Sequence, residues 1–152
     1  SYSYIAEINR KMEILKNIAL GLPETASFTP EKIREVYESI LSALSVLGKT
    51  ETYFLVIVEA RSGTVEKSFS SGKKECPSID YVPLLRRAEL IVREGDYLVI
   101  RSPRRVKGRA AFVLLRKRNG DIEDPEIFKA LAAQALFLAT LERERLATNS
   151  TE

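Results

Sequence analysis

Residues Ala110–Ala139 read AAFVLLRKRNGDIEDPEIFKALAAQALFLA, and this stretch decides the fold. The apolar run Ala110–Leu115, closed by Arg116 and Lys117, has the composition of a strand buried on both faces. Asn119-Gly120-Asp121 then turns the chain. Asp124 stands where a helix cap belongs, and Pro125 follows at the first turn, where its missing amide proton costs nothing. In the helix that this predicts, Ile127, Phe128, Leu131, Ala132, Ala135, Leu138, Ala139, Leu141 and Leu146 fill more than one apolar stripe. A helix apolar on two sides needs two partners. The sheet is the first, and the second is either the N-terminal helix or that helix's copy in another chain.

Working outward, Tyr97-Leu-Val-Ile-Arg101 reads as a strand joined to Ala110–Lys117 by the basic loop Ser102–Gly108. Thr52-Tyr-Phe-Leu-Val-Ile-Val-Glu59 is apolar on both parities and reads as a central strand. The turn Arg61-Ser-Gly-Thr64 leads into an alternating strand, Val65, Lys67 and Phe69, which makes a β-hairpin. Between Asp80 and Glu94, Leu84, Leu85, Ala88, Ile91 and Val92 recur at helical spacing, which predicts a helix. Glu89–Val92 alternatively forms a strand. Thr29 and Pro30 open a helix whose buried stripe is Ile33, Val36, Tyr37, Ile40, Leu41, Leu44 and Leu47, with Gly48 as its stop. Before it, Ile5, Ile8, Met12, Leu15, Ala19 and Leu22 follow a heptad seam. The expected architecture is α+β: an antiparallel sheet of four or five strands with flanking helices, the long N- and C-terminal helices packed together.

This order of elements resembles the GAF family over most of the chain. The strand Phe112-Val-Leu-Leu-Arg, the turn at Asn119 and the segment Leu131-Ala-Ala-Gln134-Ala are similar to the family's ending, in which a helix is written Leu-Ala-x-Gln-x-Ala. Gly95-Asp-Tyr-Leu-Val-Ile100 is similar to its Gly-x-Pro-Val-Val-Ile segment, and Val36–Gly48 with Tyr53–Val58 to its second helix and first strand. Together with its flanking helices this implies a GAF/PAS-like domain over 1–147, with 1–22 a dimerisation and signalling helix, 125–147 the C-terminal helix and 148–152 a frayed tail or linker. Two departures stand out. Ala111 occupies the position of the usual glycine, and Pro103–Arg109 is shorter than the crossover that roofs the family's ligand pocket. A small or absent pocket follows from that.

Composition narrows the chemistry. The 152 residues are 45% hydrophobic and 30% charged, enough apolar material for one core. No apolar run reaches the roughly 20 residues of a membrane span, and the lone Cys76 suits a reducing cytoplasm. The chain has no histidine, which removes Ser-His-Asp and Cys-His catalysis and His-ligated zinc and haem. No catalytic set, metal site or resident cofactor is expected. A regulatory, non-enzymatic module is the expectation, acting as a homodimer, attached to an output domain and open to an unknown small effector.

Two candidate sites follow. The resemblance places a ligand pocket between the sheet and the Asp80–Glu94 segment, with Phe69, Ser71, Tyr81, Arg86, Tyr97 and Arg101 as aromatic walls and anion donors. The other lies in the basic run. Eight cations occur from Arg101 to Arg118, with no acid between Tyr97 and Gly120. Arg104, Arg105, Lys107 and Arg109 form a patch for a small anion or acidic partner, or else are solvated edge charges. Nucleic acid is disfavoured, because no aromatic residues interleave the cations for base stacking. The dimer contacts are expected from Ile5, Ile8, Met12 and Leu15 with Leu138 and Leu141. Cys76 is a loop thiol that becomes a redox sensor only if Lys73 and Lys74 lower its pKa.

Overall fold

The computed structural model describes residues 29–72, 74–120 and 122–150, leaving out the side chains of 145 and 147–150. The heptad helix with Ile5, Ile8, Met12 and Leu15 lies outside the described residues. The elements are α1 (Pro30–Gly48), β1 (Tyr53–Glu59), β2 (Val65–Ser70), α2 (Tyr81–Arg86), β3 (Ile91–Glu94), β4 (Tyr97–Arg101), β5 (Arg109–Arg116) and α3 (Pro125–Ser150). The five strands form one sheet in the order β2-β1-β5-β4-β3, with antiparallel neighbours throughout. The chain is therefore α+β, as its sequence indicates.

β5 is central because its residues are apolar on both parities. Ala111, Val113 and Leu115 join Leu55, Ile57, Leu98 and Ile100 beneath α1 and α3, in a core completed by Ile40, Leu44, Phe128, Leu131 and Ala135. On the opposite face Phe112 and Leu114 join Phe54, Val56, Val58 and Val99 beneath α2, which contributes Tyr81, Leu84 and Leu85. Two cores thus sandwich one sheet, and β1 and β5 are buried on both sides.

The expected helix over Asp80–Glu94 is corrected. Asp80 caps α2 through Oδ1, but the helix stops after Arg86, where Arg87 turns extended with ψ 147°. Ile91 and Val92 then alternate between the two cores, and Ile91 pairs with Ile100. The spacing that suggested a helix is shared by a short helix followed by an edge strand.

Helix ends also differ in detail. Thr29 Oγ1 accepts from the Lys32 amide at 3.1 Å, as Thr29-Pro30 implies. The left-handed stop of α1 is Lys49, with φ 51°, rather than Gly48. Gly48 serves packing, since a Cβ there would come within 3.1 Å of Leu115. Before α3, Asp124 has φ 50° and its main-chain carbonyl accepts from the Ile127 amide at 3.1 Å.

Candidate anion-binding site

Two tight turns meet at one end of the sheet. Beyond β1, the Gly63 amide donates to the Glu59 carbonyl at 2.8 Å and the Glu59 amide to the Thr64 carbonyl at 2.9 Å. Between β4 and β5, Val106 and Arg109 exchange main-chain hydrogen bonds at 3.0 and 3.1 Å around Lys107 and Gly108. Both central residues have positive φ, 49° and 75°, the geometry of a two-residue type I′ hairpin. The Ala60 amide donates to the Gly108 carbonyl at 2.8 Å and fastens one turn to the other.

The first residue of β5 turns this corner into a site. Arg109 shares the parity of Ala111, Val113 and Leu115, so its side chain enters the helix-covered face, where 5% of it remains exposed. Its Nη1 donates to Glu66 Oε2 at 3.2 Å and its Nη2 to Thr140 Oγ1 at 3.1 Å. Thr140 in turn donates to the Leu136 carbonyl at 2.9 Å, which orients its oxygen toward the guanidinium. Arg109 Nε is buried without a partner.

Glu66 reaches this cluster through a β-bulge. The β1–β2 register runs from Ile57–Lys67 to Val58–Val65 and leaves Glu66 as the extra residue, and a bulge redirects such a side chain. Glu66 Oε1 lies 3.8 Å from Arg143 on α3. Two further ion pairs tie α3 to the sheet, Lys67 with Glu142 and Lys107 with Glu144.

Between the two turns and α3 opens a cleft of about 410 Å³, lined by Arg61, Arg105, Lys107, Arg109 and Arg143 against Glu59 and Glu66, with Ala60 and Gly108 between them. Five cations face two carboxylates. A second groove, of about 290 Å³, runs between α1 and β2 along Ile33, Tyr37, Leu41 and Phe69. There Lys67 Nζ stands 5.1 Å from the Tyr37 ring centre, and burial raises the Tyr37 hydroxyl above its ordinary pKa.

The six residues expected to line a ligand pocket are not brought together. Phe69 packs on Tyr37, with ring centres 4.4 Å apart, beneath α1 on the opposite face from Tyr81. Tyr81 stacks on Phe112 at 4.8 Å, and Tyr97 lies 6.0 Å from Phe54. Ser71 Oγ accepts from the Tyr53 amide at 3.0 Å, and Arg86 is exposed. Arg101 is committed to α2, donating to the carbonyls of Leu84 at 2.8 Å and Arg87 at 3.0 Å. Burial, with the neighbouring Arg105 charge, lowers its pKa. On the α2 face Tyr81 and Tyr97 pack with Phe54 and Phe112 in the chain's own core.

The basic patch divides instead. Lys107 and Arg109 line the cleft, as does Arg105, whose Nη2 also donates to the Leu85 carbonyl at 3.2 Å; Arg104 is exposed outside it. Arg61, Glu66, Thr140 and Arg143 were missed by sequence reasoning. Thr140 interrupts an apolar helix and Arg109 sits on a core parity, a pairing signal in hindsight; the bulge at Glu66 leaves no such trace. Of the expected dimer residues on α3, Leu138 is fully buried in the chain's own core and so is not available to a second copy, while Leu141 is half-buried. Burial also raises the Cys76 thiol pKa, and Lys74 donates to Thr52 Oγ1 at 2.7 Å, the opposite of the lowering that a redox sensor was said to need; Lys73 lies outside the described residues.

No family model, curated protein or solved structure matches the chain. Among the described residues no helix is long and apolar enough to cross a membrane, and no group of three or more Cys, Asp or Glu stands ready for a metal ion.

Proposed function

We propose that this chain is a non-enzymatic regulatory module that binds an anionic effector in the cleft at the Arg109 end of the sheet. The observation that carries the reading is that cleft: five cations against two carboxylates, built around an arginine that is almost wholly buried and has an unpartnered Nε. Burying a guanidinium is costly unless its donors are satisfied, and fixed cations in a concave wall concentrate counter-charge. The GAF-like order of elements supports a sensory role within a larger signalling protein.

The test is thermal unfolding of the whole chain in chloride, sulfate, phosphate and citrate at matched ionic strength. A multivalent anion at ten times its Kd adds about 1.4 kcal/mol of stability by mass action and raises Tm accordingly. Arg61→Glu with Arg105→Glu should abolish the rise. Equal Tm in all four salts would sink the reading.

Homodimerisation through α3 is proposed on narrower ground: Phe137, 47% exposed, and the half-buried Leu141 lie one turn apart on that helix. Native mass spectrometry gives the subunit number, and Phe137→Glu should turn a dimer into a monomer.

A further inference from the structure

We infer that the ligand of this cleft is a small phosphate monoester, bound as a dianion that takes Arg109 and Arg143 from Glu66. The inference rests on the anion-binding reading above and adds the ligand's class and its manner of entry.

Charge sets the valence. Among the described residues Arg61 and Arg105 have no carboxylate partner, and Lys107 is held by the exposed Glu144. Arg109 and Arg143 share the one carboxylate of Glu66, which is 31% exposed. With Glu59, Glu66 and the Glu144 that holds Lys107 counted, the site carries an excess of two positive charges. A singly charged carboxylate or phosphodiester leaves half of that excess unbalanced, whereas a phosphate monoester brings close to two charges and three acceptor oxygens. Guanidinium forks match those oxygens two at a time, and three of the cations other than Arg109 are arginines.

Size sets the class. A cleft of about 410 Å³ falls at the small end of the range that holds compact ligands, roughly 300–1,000 Å³. The aliphatic stem of Arg105 and the methyl of Ala60 leave some apolar wall for the esterified group. A nucleic-acid strand would instead need a track with stacking platforms, and no aromatic side chain lines this cleft.

Glu66 sets the manner of entry. It holds Arg109 through Oε2 and faces Arg143 through Oε1, occupying with its two oxygens the positions that two phosphate oxygens would take. It therefore acts as a built-in competitor. Arg109 keeps Thr140 as an anchor throughout, so the guanidinium is held in place whether Glu66 or phosphate faces it.

The experiment is isothermal titration of the full chain with methyl phosphate, dimethyl phosphate and inorganic phosphate at one ionic strength, on the wild type and on Glu66→Gln and Arg61→Glu. Methyl phosphate should bind at least about tenfold more tightly than dimethyl phosphate, since the second charge roughly doubles the Coulomb attraction to the same cations. Glu66→Gln should tighten methyl phosphate by about 3–10-fold by removing the competitor; unchanged or weaker binding would overturn the competition. Arg61→Glu, at an exposed turn remote from the core, should weaken binding about tenfold with Tm unchanged, and binding that ignores it would overturn the site. If inorganic phosphate equals methyl phosphate, the phosphate chemistry stands and the free ion is the source. If neither binds but a single-stranded DNA 20-mer or polyglutamate does, the small-ligand inference fails while anion binding survives. If none of the five binds, both fail.

Discussion

The two faces of the sheet treat their arginines in opposite ways. Beneath α2, Arg101 at the end of β4 donates to the carbonyls of Leu84 and Arg87, closing the end of a six-residue helix. Beneath α1 and α3, Arg109 turns inward and is held by one carboxylate and one hydroxyl, with a donor left over. Carbonyls at a helix C-terminus satisfy a guanidinium without carrying a formal charge, so the first arrangement spends its cation on structure. The second keeps charge in reserve beside a cleft. Strand parity thus separates the roles of Arg101 and Arg109, while Arg105, in the loop between them, both donates to Leu85 and lines the cleft.

The sharpest way to break this contrast is to ask whether the α2 face is full. Phe112 is 1% exposed and stacks on Tyr81. Phe112→Ala should cost about 3–5 kcal/mol in urea unfolding, the range for a buried phenylalanine whose surroundings cannot collapse. A cost below about 1 kcal/mol would mean that this face tolerates a void, and the pocket expected beside α2 would return as the candidate site.

Next in size, Arg109→Met should destabilise by about 2 kcal/mol. Removing one partner of a buried ion pair costs about 3–5 kcal/mol, but Glu66 keeps Arg143 and some solvent here, and Thr140 keeps Leu136. Arg101→Met should cost less, about 1–2 kcal/mol, because the carbonyls it releases lie near water. The two variants separate by hydrogen exchange. Arg101→Met should speed exchange within Tyr81–Arg86 alone, and Arg109→Met at β2 and the α3 segment around Thr140. Faster exchange of both regions in both variants would show one cooperative unit and erase the distinction.

Much of this was legible in the sequence, because β1 and β5 are continuous apolar runs and α1 carries a clean helical stripe. The α+β class, the hairpins and the basic loop follow from those patterns. The candidate pocket failed on parity. Phe69 and Tyr81 were grouped by being aromatic and near one loop, yet Phe69 belongs to the Lys67 parity of β2, which faces α1. The cleft was half legible: Arg105, Lys107 and Arg109 were grouped by charge, whereas Arg61 and Arg143 join them only once the strand order brings β1 beside β5 and α3 across both. Glu66 depends on a bulge, a register event that single-residue propensities do not encode.

A pH titration tests burial on both faces at once. Burial raises Tyr37 beneath α1, and Tyr81 and Cys76 beneath α2. An acid whose pKa is raised on folding keeps its proton where the unfolded chain has lost it. Its stabilising contribution is full below the unfolded pKa and disappears as pH rises through the folded one. Stability should hold to about pH 8, begin to fall near the ordinary thiol value of about 8.5 and fall further above about 10 as the phenols of the unfolded chain ionise. Cys76→Ser should remove the first limb, and Tyr37→Phe should reduce the second without touching the first. A flat profile to pH 11 would show that water reaches these groups.

The smallest effect lies at the end of α1, where packing and backbone conformation are divided between neighbours. Gly48 meets Leu115 and Lys49 carries the left-handed φ of 51°. A side chain in that conformation costs about 1–2 kcal/mol, and glycine relieves it while giving up roughly 0.5–1 kcal/mol of backbone entropy in the unfolded chain. The 3.9 Å ion pair of Lys49 with Glu123 joins two exposed groups, which limits its worth to a few tenths of a kcal/mol. Lys49→Gly should therefore stabilise by about 0.5 kcal/mol, visible as a shift of the urea midpoint at constant slope. Gly48→Ala cannot reproduce that gain, because its methyl would press Leu115 of β5 on the helix-covered face. If Gly48→Ala stabilises and Lys49→Gly does not, the two residues have exchanged roles and that face has room to spare beneath α1.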